Sequence, residues 1–321
     1  MKMTLFISIL LLTINTFGQT EKPLKSGDWS SEGKTSDELY MRAQFEQENN
    51  NALMAMLLMQ ECTARDSSNA EYLYYQAIIF KQEGYRKTAI NSLDQAIEID
   101  SLYTEAYAER GHLYAREQYF DSGIDDLLHA IAIDENYFLA YYYLGLLGLD
   151  LDYPEKAVED LSKAIALKPN FANAYLYRGI GQCYLDNFDA AITDLKKAVE
   201  LDPEDAFAIY RLGMAYFDAE KYDQVFDPMA KTMELQPDMS FPYYYMGVSF
   251  YQTGETQKAI EFLKKYQAMA GVDNYSNYYL GLCYYKLETY PEASGYFLKC
   301  TEDGEFYEES REYIKKCEGR I

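Results

Sequence analysis

The sequence predicts an all-α fold built as a stack of eight helical hairpins, and three observations carry that expectation. Gly111, Gly145, Gly179, Gly213, Gly247 and Gly281 follow one another at 34 residues without a slip, and Ala77 and Ala43 continue the ladder toward the N-terminus. A second ladder keeps the same period 12 residues later: Ala55, Ala89, Ala157, Ala191, Ala259 and Ala293, with Gly123 and Val225 in the two remaining slots. Pro169, Pro203 and Pro237 recur in the same register, where a ring without an N–H donor stops a helix. A fixed period of this length is the mark of a stacked repeat.

The stretch Ala172 to Asp205 shows the unit. Tyr175, Gly179 and Tyr184 lie on a first helix, Asp186-Asn187-Phe188 make a turn, and Ala191, Leu195 and Ala198 lie on a second helix that Pro203 ends. Helices of about 13 residues are about 20 Å long and marginal alone in water. Each buries one stripe against its hairpin partner and leaves a second stripe for the next hairpin. The expected result is a one-dimensional stack with a continuous core. Cys62, Ala96, Ala130, Ala164 and Ala198 hold a further small position on the second helices.

In chain order, residues 1–18 read as a secretory signal peptide. Lys2 gives a positive start, Leu5 to Ile14 a short apolar run, and Thr16 and Gly18 are small residues before an expected cut at Gly18/Gln19. The run is too short for a spanning helix, which needs about 20 apolar residues. The alternative is an uncleaved anchor. Residues 19–35 form a polar linker containing the single tryptophan, Trp29, which either docks on the first repeat or belongs to a flexible leader. Residues 36–307 hold the eight repeats. Pro228 falls inside the second helix of repeat six, which should start late or kink there. Pro154, Pro242 and Pro291 sit at helix starts, where proline is tolerated. Residues 308–321 read as a capping helix in which Tyr313 and Ile314 cover the last core face.

With these residues in place the chain resembles the tetratricopeptide repeat family. That family sets an aromatic four residues before the small residue of the first helix (helix A), as at Tyr107, Tyr141, Tyr175 and Tyr243. It sets another three residues after it, as at Phe80, Tyr114, Tyr216, Phe250 and Tyr284. The resemblance departs at Ser67, Ser101 and Glu135, which replace the closing proline, and at Gly148, where an aromatic is expected. It implies a right-handed α-solenoid whose concave groove is lined by the second, fifth, ninth, twelfth and thirteenth residues of each helix A.

In repeats one to three those slots are polar and mostly acidic, as at Asp37, Glu48, Glu71 and Glu105. From repeat four onward they turn aromatic and aliphatic. The candidate partner-binding residues there are Tyr142, Leu146, Leu176, Ile180, Tyr184, Tyr210, Met214, Phe217, Tyr244, Val248, Tyr251, Tyr278, Leu282 and Tyr285, with Phe207, Phe241 and Tyr275 in the same set of slots. Tyrosine offers apolar area and a hydroxyl at low entropy cost, which suits a binding surface. The expected function is a non-catalytic exported scaffold or adaptor, periplasmic, envelope-associated or extracellular, holding a protein or peptide partner that is basic or carries an apolar segment. Two alternatives stand beside it: a structural spacer that self-associates, and a small-ligand or glycan binder using stacked tyrosines. Packing of the tyrosines on neighbouring helices, which would close the groove, is the competing account of the same residues. The carboxylate clamp of Lys, Asn and Arg known in the family is not reproduced, since Lys81 and Arg116 stand beside Glu71, Glu105 and Glu109.

The formal charge of −23, which becomes −24 when Lys2 leaves with the signal, argues against nucleic acid and anionic membranes. Five cysteines cannot all pair, and no two lie within four residues of each other, so buried thiols are expected. Cys300–Cys317 is the pair to bridge if any does. Glu109 and His112 form one Glu-x-x-His pair, where di-iron bundles need two and further carboxylates; His129 has no obvious partner. With no phosphate loop, dinucleotide fingerprint or nucleophile elbow, no enzyme and no cofactor are expected.

Overall fold

The computed structural model describes residues 33–300 and 304–320. The expected signal peptide and all of the linker before Gly33 lie outside the described residues. The described chain is a succession of antiparallel helical hairpins, and it contains no strand. It divides into two compact units, up to Ile99 and from Asp100 onward. The first holds α1 (Ser36–Glu48), α2 (Ala52–Arg65), α3 (Ala70–Gln82) and α4 (Arg86–Ile99). The second holds α5 (Thr104–Arg116), α6 (Phe120–Ile133), α7 (Phe138–Asp150), α8 (Pro154–Leu167), α9 (Ala172–Tyr184) and α10 (Phe188–Leu201). It continues with α11 (Ala206–Asp218), α12 (Phe226–Leu235), α13 (Phe241–Gln252), α14 (Thr256–Ala270), α15 (Asn274–Lys286), α16 (Tyr290–Phe297) and α17 (Tyr307–Glu318). Within each unit, consecutive hairpins pack side by side.

The small residue of each odd-numbered helix has a steric cause. A Cβ added at Gly145 would lie 2.5 Å from Cγ of Leu161, and one at Gly179 would lie 2.8 Å from Cγ of Leu195. Gly111 faces Leu127, Gly247 faces Leu263 and Gly281 faces Phe297 in the same way. All five partners are buried, each 16 residues after its glycine. The missing side chain is the seat for the large one across the hairpin, and the seat brings the two helix backbones close. Gly148 departs from the family pattern for a related reason: its Cβ would stand 3.1 Å from that of Ala157, leaving no room for a ring.

A second periodic feature lies in the turns. Asn50, Gln118, Asp152, Asp186, Glu220 and Glu288 have positive φ, between 56° and 66°, and Gly84 and Gly254 have φ of 81° and 92°. These eight positions are themselves 34 residues apart. Each helix A therefore ends in a left-handed residue that turns the chain back into its partner. Glycine takes this conformation freely, Asn and Asp tolerate it, and longer side chains are strained there.

Polar groups inside the hairpins are paired on the same register. Arg110 forks onto Asp126 at 2.7 and 2.8 Å, and Arg178 onto Asp194 at 2.7 Å twice. Gln76 and Ser92 occupy the equivalent places, with Ser92 donating to Gln76 at 3.2 Å. Arg178 also donates to Ser162 of the preceding hairpin at 3.1 Å. In the hairpin between, Leu144 stands at the register position of those arginines, 16 residues before Asp160. Burial raises its carboxyl above the ordinary range, and Lys156 and Lys163, at 3.3 and 3.8 Å, offset this only in part.

Pro228 acts as expected. The second helix of repeat six opens with a 3₁₀ turn at Tyr222–Gln224, and the α-helix begins only at Phe226. At the other end α16 stops at Phe297, after eight residues, earlier than the repeat length predicts. Ser294 and Gly295 are weak helix formers, and the chain tightens there through bonds such as Lys299 N–H to Tyr296 O, 3.1 Å. Tyr313 of α17 then stacks on Phe297 at 5.0 Å. Cys300 and Cys317 are both buried and unbridged; Cys62 and Cys283 are buried thiols too, and Cys183 is a half-buried one.

Two stability measurements test these devices. Gly145→Ala should lose about 1–2 kcal/mol, because the branch carbon of Leu161 cannot move aside and overpacking outweighs the gain in helix propensity. Gly213→Ala should be near neutral: the atom it meets, at 2.6 Å, is the terminal methyl of Met229, which can swing away. Equal losses in urea denaturation would remove the seat explanation. Glu220→Gly should gain about 1 kcal/mol by relieving a left-handed residue at an exposed turn; a loss of stability would mean that the glutamate side chain contributes something the backbone does not.

Candidate partner-binding face

The candidate residues lie on the odd-numbered helices from α7 to α15, one row to each slot. The structure sorts them by depth. Tyr142, Leu176, Ile180, Tyr210, Val248 and Leu282 are buried, Val248 completely. For these six the competing account, packing on neighbouring helices, describes the side chain. Leu146, Met214, Phe217, Tyr244, Tyr251, Tyr278 and Tyr285 are half-buried, and Tyr184 is exposed.

Tyr142 and Tyr210 are covered by a row absent from the candidate set. The sixth residue of helix A is also a tyrosine in several repeats, and it packs on the preceding odd-numbered helix. Tyr177 meets Tyr142 at 6.0 Å between ring centres, Tyr245 meets Tyr210 at 6.0 Å, and Tyr279 meets Tyr244 at 6.3 Å, all edge to face. Tyr245 also touches Phe217 at 5.0 Å, and Tyr279 touches Tyr251 at 6.0 Å. Each such ring sits between the fifth and twelfth slots of its neighbour. In the first unit Tyr75 sits on Tyr40 in the same manner, at 5.3 Å. Such pairs add about 0.5–1.5 kcal/mol each beyond their burial. Tyr143, Tyr177, Tyr245 and Tyr279 carry a readable signal, since they fall 34 residues apart within each pair. The twelfth-slot Tyr285 and the fifth-slot Tyr278 pack toward the tail: Tyr285 on Tyr313 at 5.1 Å, and Tyr278 stacked on Phe306 at 4.2 Å.

What remains open is the second slot. Phe207, Phe241 and Tyr275 begin three successive odd-numbered helices and are 45%, 50% and 45% exposed. Tyr275 rests against Tyr244 and Phe306, at 6.4 and 5.3 Å. The turns that lead into these helices carry Asp202, Glu204, Asp205, Asp238 and Asp273 and no lysine or arginine. The surviving surface is thus an aromatic ridge with an acidic margin.

The other candidate chemistry is absorbed by packing. Tyr143 donates to Glu109 at 3.0 Å and stacks on His112 at 4.3 Å, so the Glu-x-x-His pair is held by a neighbouring ring. His129 lies against Tyr107 at 4.3 Å. Among the described residues no group of three or more His, Cys, Asp or Glu is placed to hold a metal, and no helix is long and apolar enough to cross a membrane. Burial pushes the Cys62 and Cys183 thiols up to about 11 and Cys283 to about 12, which keeps them protonated and weak as nucleophiles.

Tetratricopeptide repeat models match residues 104–137, 139–171, 178–224 and 243–268. The chain is a tetratricopeptide repeat protein. No curated protein matches it. Among solved structures it is similar to a tetratricopeptide repeat protein from Parabacteroides merdae ATCC 43184, with 17% identity, 78% of this chain and 99% of that one covered, and a TM-score of 0.53. It is also similar to the APC/C hetero-tetramer Cut9-Hcn1, with 16% identity, 77% and 54% coverage and a TM-score of 0.58. MamA shows 26% identity over 50% of this chain and 94% of its own, with a TM-score of 0.48. At these identities the first two likenesses speak for the fold. In this tetratricopeptide repeat protein tyrosine fills much of the seam between successive helices A.

That seam has a pH signature. Burial raises the phenols of Tyr142, Tyr210 and Tyr244 well above their ordinary value. The unfolded chain releases these protons near pH 10 while the folded chain keeps them, so the unfolded state binds fewer protons there and stability falls as pH rises. Urea midpoints measured between about pH 8 and pH 11 should decline steeply over the upper part of that range. A flat profile would mean that the rings titrate freely in the folded protein.

Proposed function

We propose that this tetratricopeptide repeat protein is an exported, non-catalytic scaffold that captures a protein segment along the ridge Phe207–Phe241–Tyr275. The observation that carries the reading is the half exposure of three aromatic rings in one slot of three successive helices. A regular row of this kind matches an extended segment or an amphipathic helix, which offers apolar side chains at regular steps. The acidic margin selects the partner's charge: a segment with lysine or arginine between its apolar anchors is drawn in, and an acidic one is repelled. Tyr244 borders the ridge, 6.4 Å from Tyr275 between ring centres. Export rests on the Lys2, Leu5–Ile14 and Gly18 pattern at the start of the chain.

The test uses synthetic segments that alternate leucine with arginine or with glutamate. The arginine series should bind and weaken with added salt, and the glutamate series should not bind. Replacing Phe207, Phe241 and Tyr275 together by serine should weaken binding at least about tenfold, since buried aromatic anchors dominate such contacts. Helix content should be unchanged, because the three rings are about half exposed and none is the small or large residue of a hairpin seat. Replacing Tyr210, Tyr244 and Tyr251 is the wrong experiment, as it opens the seam itself. Unaltered affinity in the triple variant, or a preference for glycans over both peptide series, would overturn the reading.

A further inference from the structure

The second helix of the last hairpin is short, and a cleft lies beside its end. α6, α8 and α10 each run for 14 residues, whereas α16 stops after eight. Between that end and one face of α17 is a cavity of about 430 Å³, within the size range of small-molecule sites. Its apolar lining is Phe297, Leu298 and Ile314. Leu298 is 68% exposed, a large apolar side chain left at the mouth.

The polar lining is rich in donors. Arg311 and Lys315 lie one turn apart on α17, about 6 Å along the helix, so one anionic group can reach both. Arg311 donates to the Tyr307 hydroxyl at 3.1 Å and lies over that ring. Among the described residues no carboxylate pairs with Arg311 or Lys315, whereas the adjacent Lys316 meets Glu312 at 3.9 Å. Unpaired cations side by side are out of keeping with a chain that has 52 acidic residues against 29 basic ones. Lys315 also stands 34 residues after Gly281, at the position where every preceding helix A keeps glycine or alanine. Below them Ser310 is 1% exposed, and its Oγ finds no oxygen or nitrogen partner, only the Cys300 thiol beside it. Burying a hydroxyl in this way is unfavourable, and packing alone gives no reason for it. Glu318 is the one carboxylate in the lining.

We propose that this cleft is a second binding site, separate from the ridge, for a small carboxylate with an apolar body. Arg311 and Lys315 receive the carboxylate, Ser310 supplies a further donor, and Leu298 and Ile314 take the apolar part. Charge-assisted bonds to the two cations set the preference for an anion. The acidic remainder of the surface repels the same ligand elsewhere, which confines it to the cleft.

Calorimetric titration of the whole protein with octanoate and with 1-octanol compares two probes of one apolar body and different heads. Octanoate should bind at a single site, at least about tenfold more tightly than octanol, and should weaken with added salt. Arg311→Gln combined with Lys315→Gln should weaken octanoate about tenfold and leave octanol unchanged. Circular dichroism should not change, since both side chains are exposed. Ser310→Ala should also weaken octanoate, without lowering the urea midpoint. Absence of octanoate binding, equal affinity for octanoate and octanol, or an octanoate affinity that the double variant leaves in place would overturn the site. So would loss of octanoate binding in the triple variant of Phe207, Phe241 and Tyr275, which would move the ligand to the ridge; retention there shows that cleft and ridge stand or fail separately.

Discussion

The close seat inside each hairpin is the constraint on which the rest of the structure depends. A glycine or alanine on one helix receives a leucine, methionine or phenylalanine 16 residues later on its partner, and that contact sets how near the two backbones lie. Interiors pack to near-crystal density, so one methyl in the wrong place is felt. Repeating the seat every 34 residues produces hairpins of nearly one geometry, and hairpins of one geometry can stack. The left-handed turn residues belong to the same requirement. They return the chain at a fixed angle, so that the large residue arrives opposite its seat.

Tyrosine serves the next level of packing. Tyr245 wedges between Tyr210 and Phe217 of the preceding helix A and Tyr279 between Tyr244 and Tyr251, and the pairs Tyr142–Tyr177, Tyr210–Tyr245 and Tyr244–Tyr279 join successive hairpins edge to face. A phenol suits this seam better than a leucine would, because the ring buries a large area while the hydroxyl finds water or an acceptor, as Tyr143 finds Glu109. The cost is titration, since a buried phenol cannot ionise where it stands. The many tyrosines are therefore first a matter of how the hairpins hold together, and only a remainder is available to bind.

That division shows what the sequence could and could not reveal. Periodicity alone located the hairpins, the closing prolines and the late start at Pro228, because each follows from local sterics along one stretch of chain. It misjudged Val248, Ile180 and Leu282. Their slot is open or covered according to what neighbouring helices lay over it, and those groups come from residues distant in the chain. The sixth-slot tyrosines carried the same 34-residue mark as the glycines, but periodicity states only that a position matters; it does not say which face the position serves. The left-handed turn was readable from Gly84 and Gly254, and masked at Gln118, Glu220 and Glu288 by residues that seldom adopt it.

The second slot separates packing from binding more sharply than exposure alone. Where the fold places no demand on it, the slot is filled by Asp37, Glu71, Glu105 and Asn173, all compatible with water. At Phe207, Phe241 and Tyr275 the slot holds rings that stay about half exposed, even where Phe241 lies 6.1 Å from Tyr266 and Tyr275 5.3 Å from Phe306. A large apolar side chain left half in water forgoes a good part of the 1.5–3 kcal/mol, roughly, that full burial provides. Three of them in one slot of successive helices A form a regular row rather than scattered residues, and clustered exposed apolar groups are what mark contact surfaces. The tyrosine seam explains itself through its neighbours. The ridge does not, and the free energy it leaves unrealised in the free chain is what a partner with matching apolar anchors would recover.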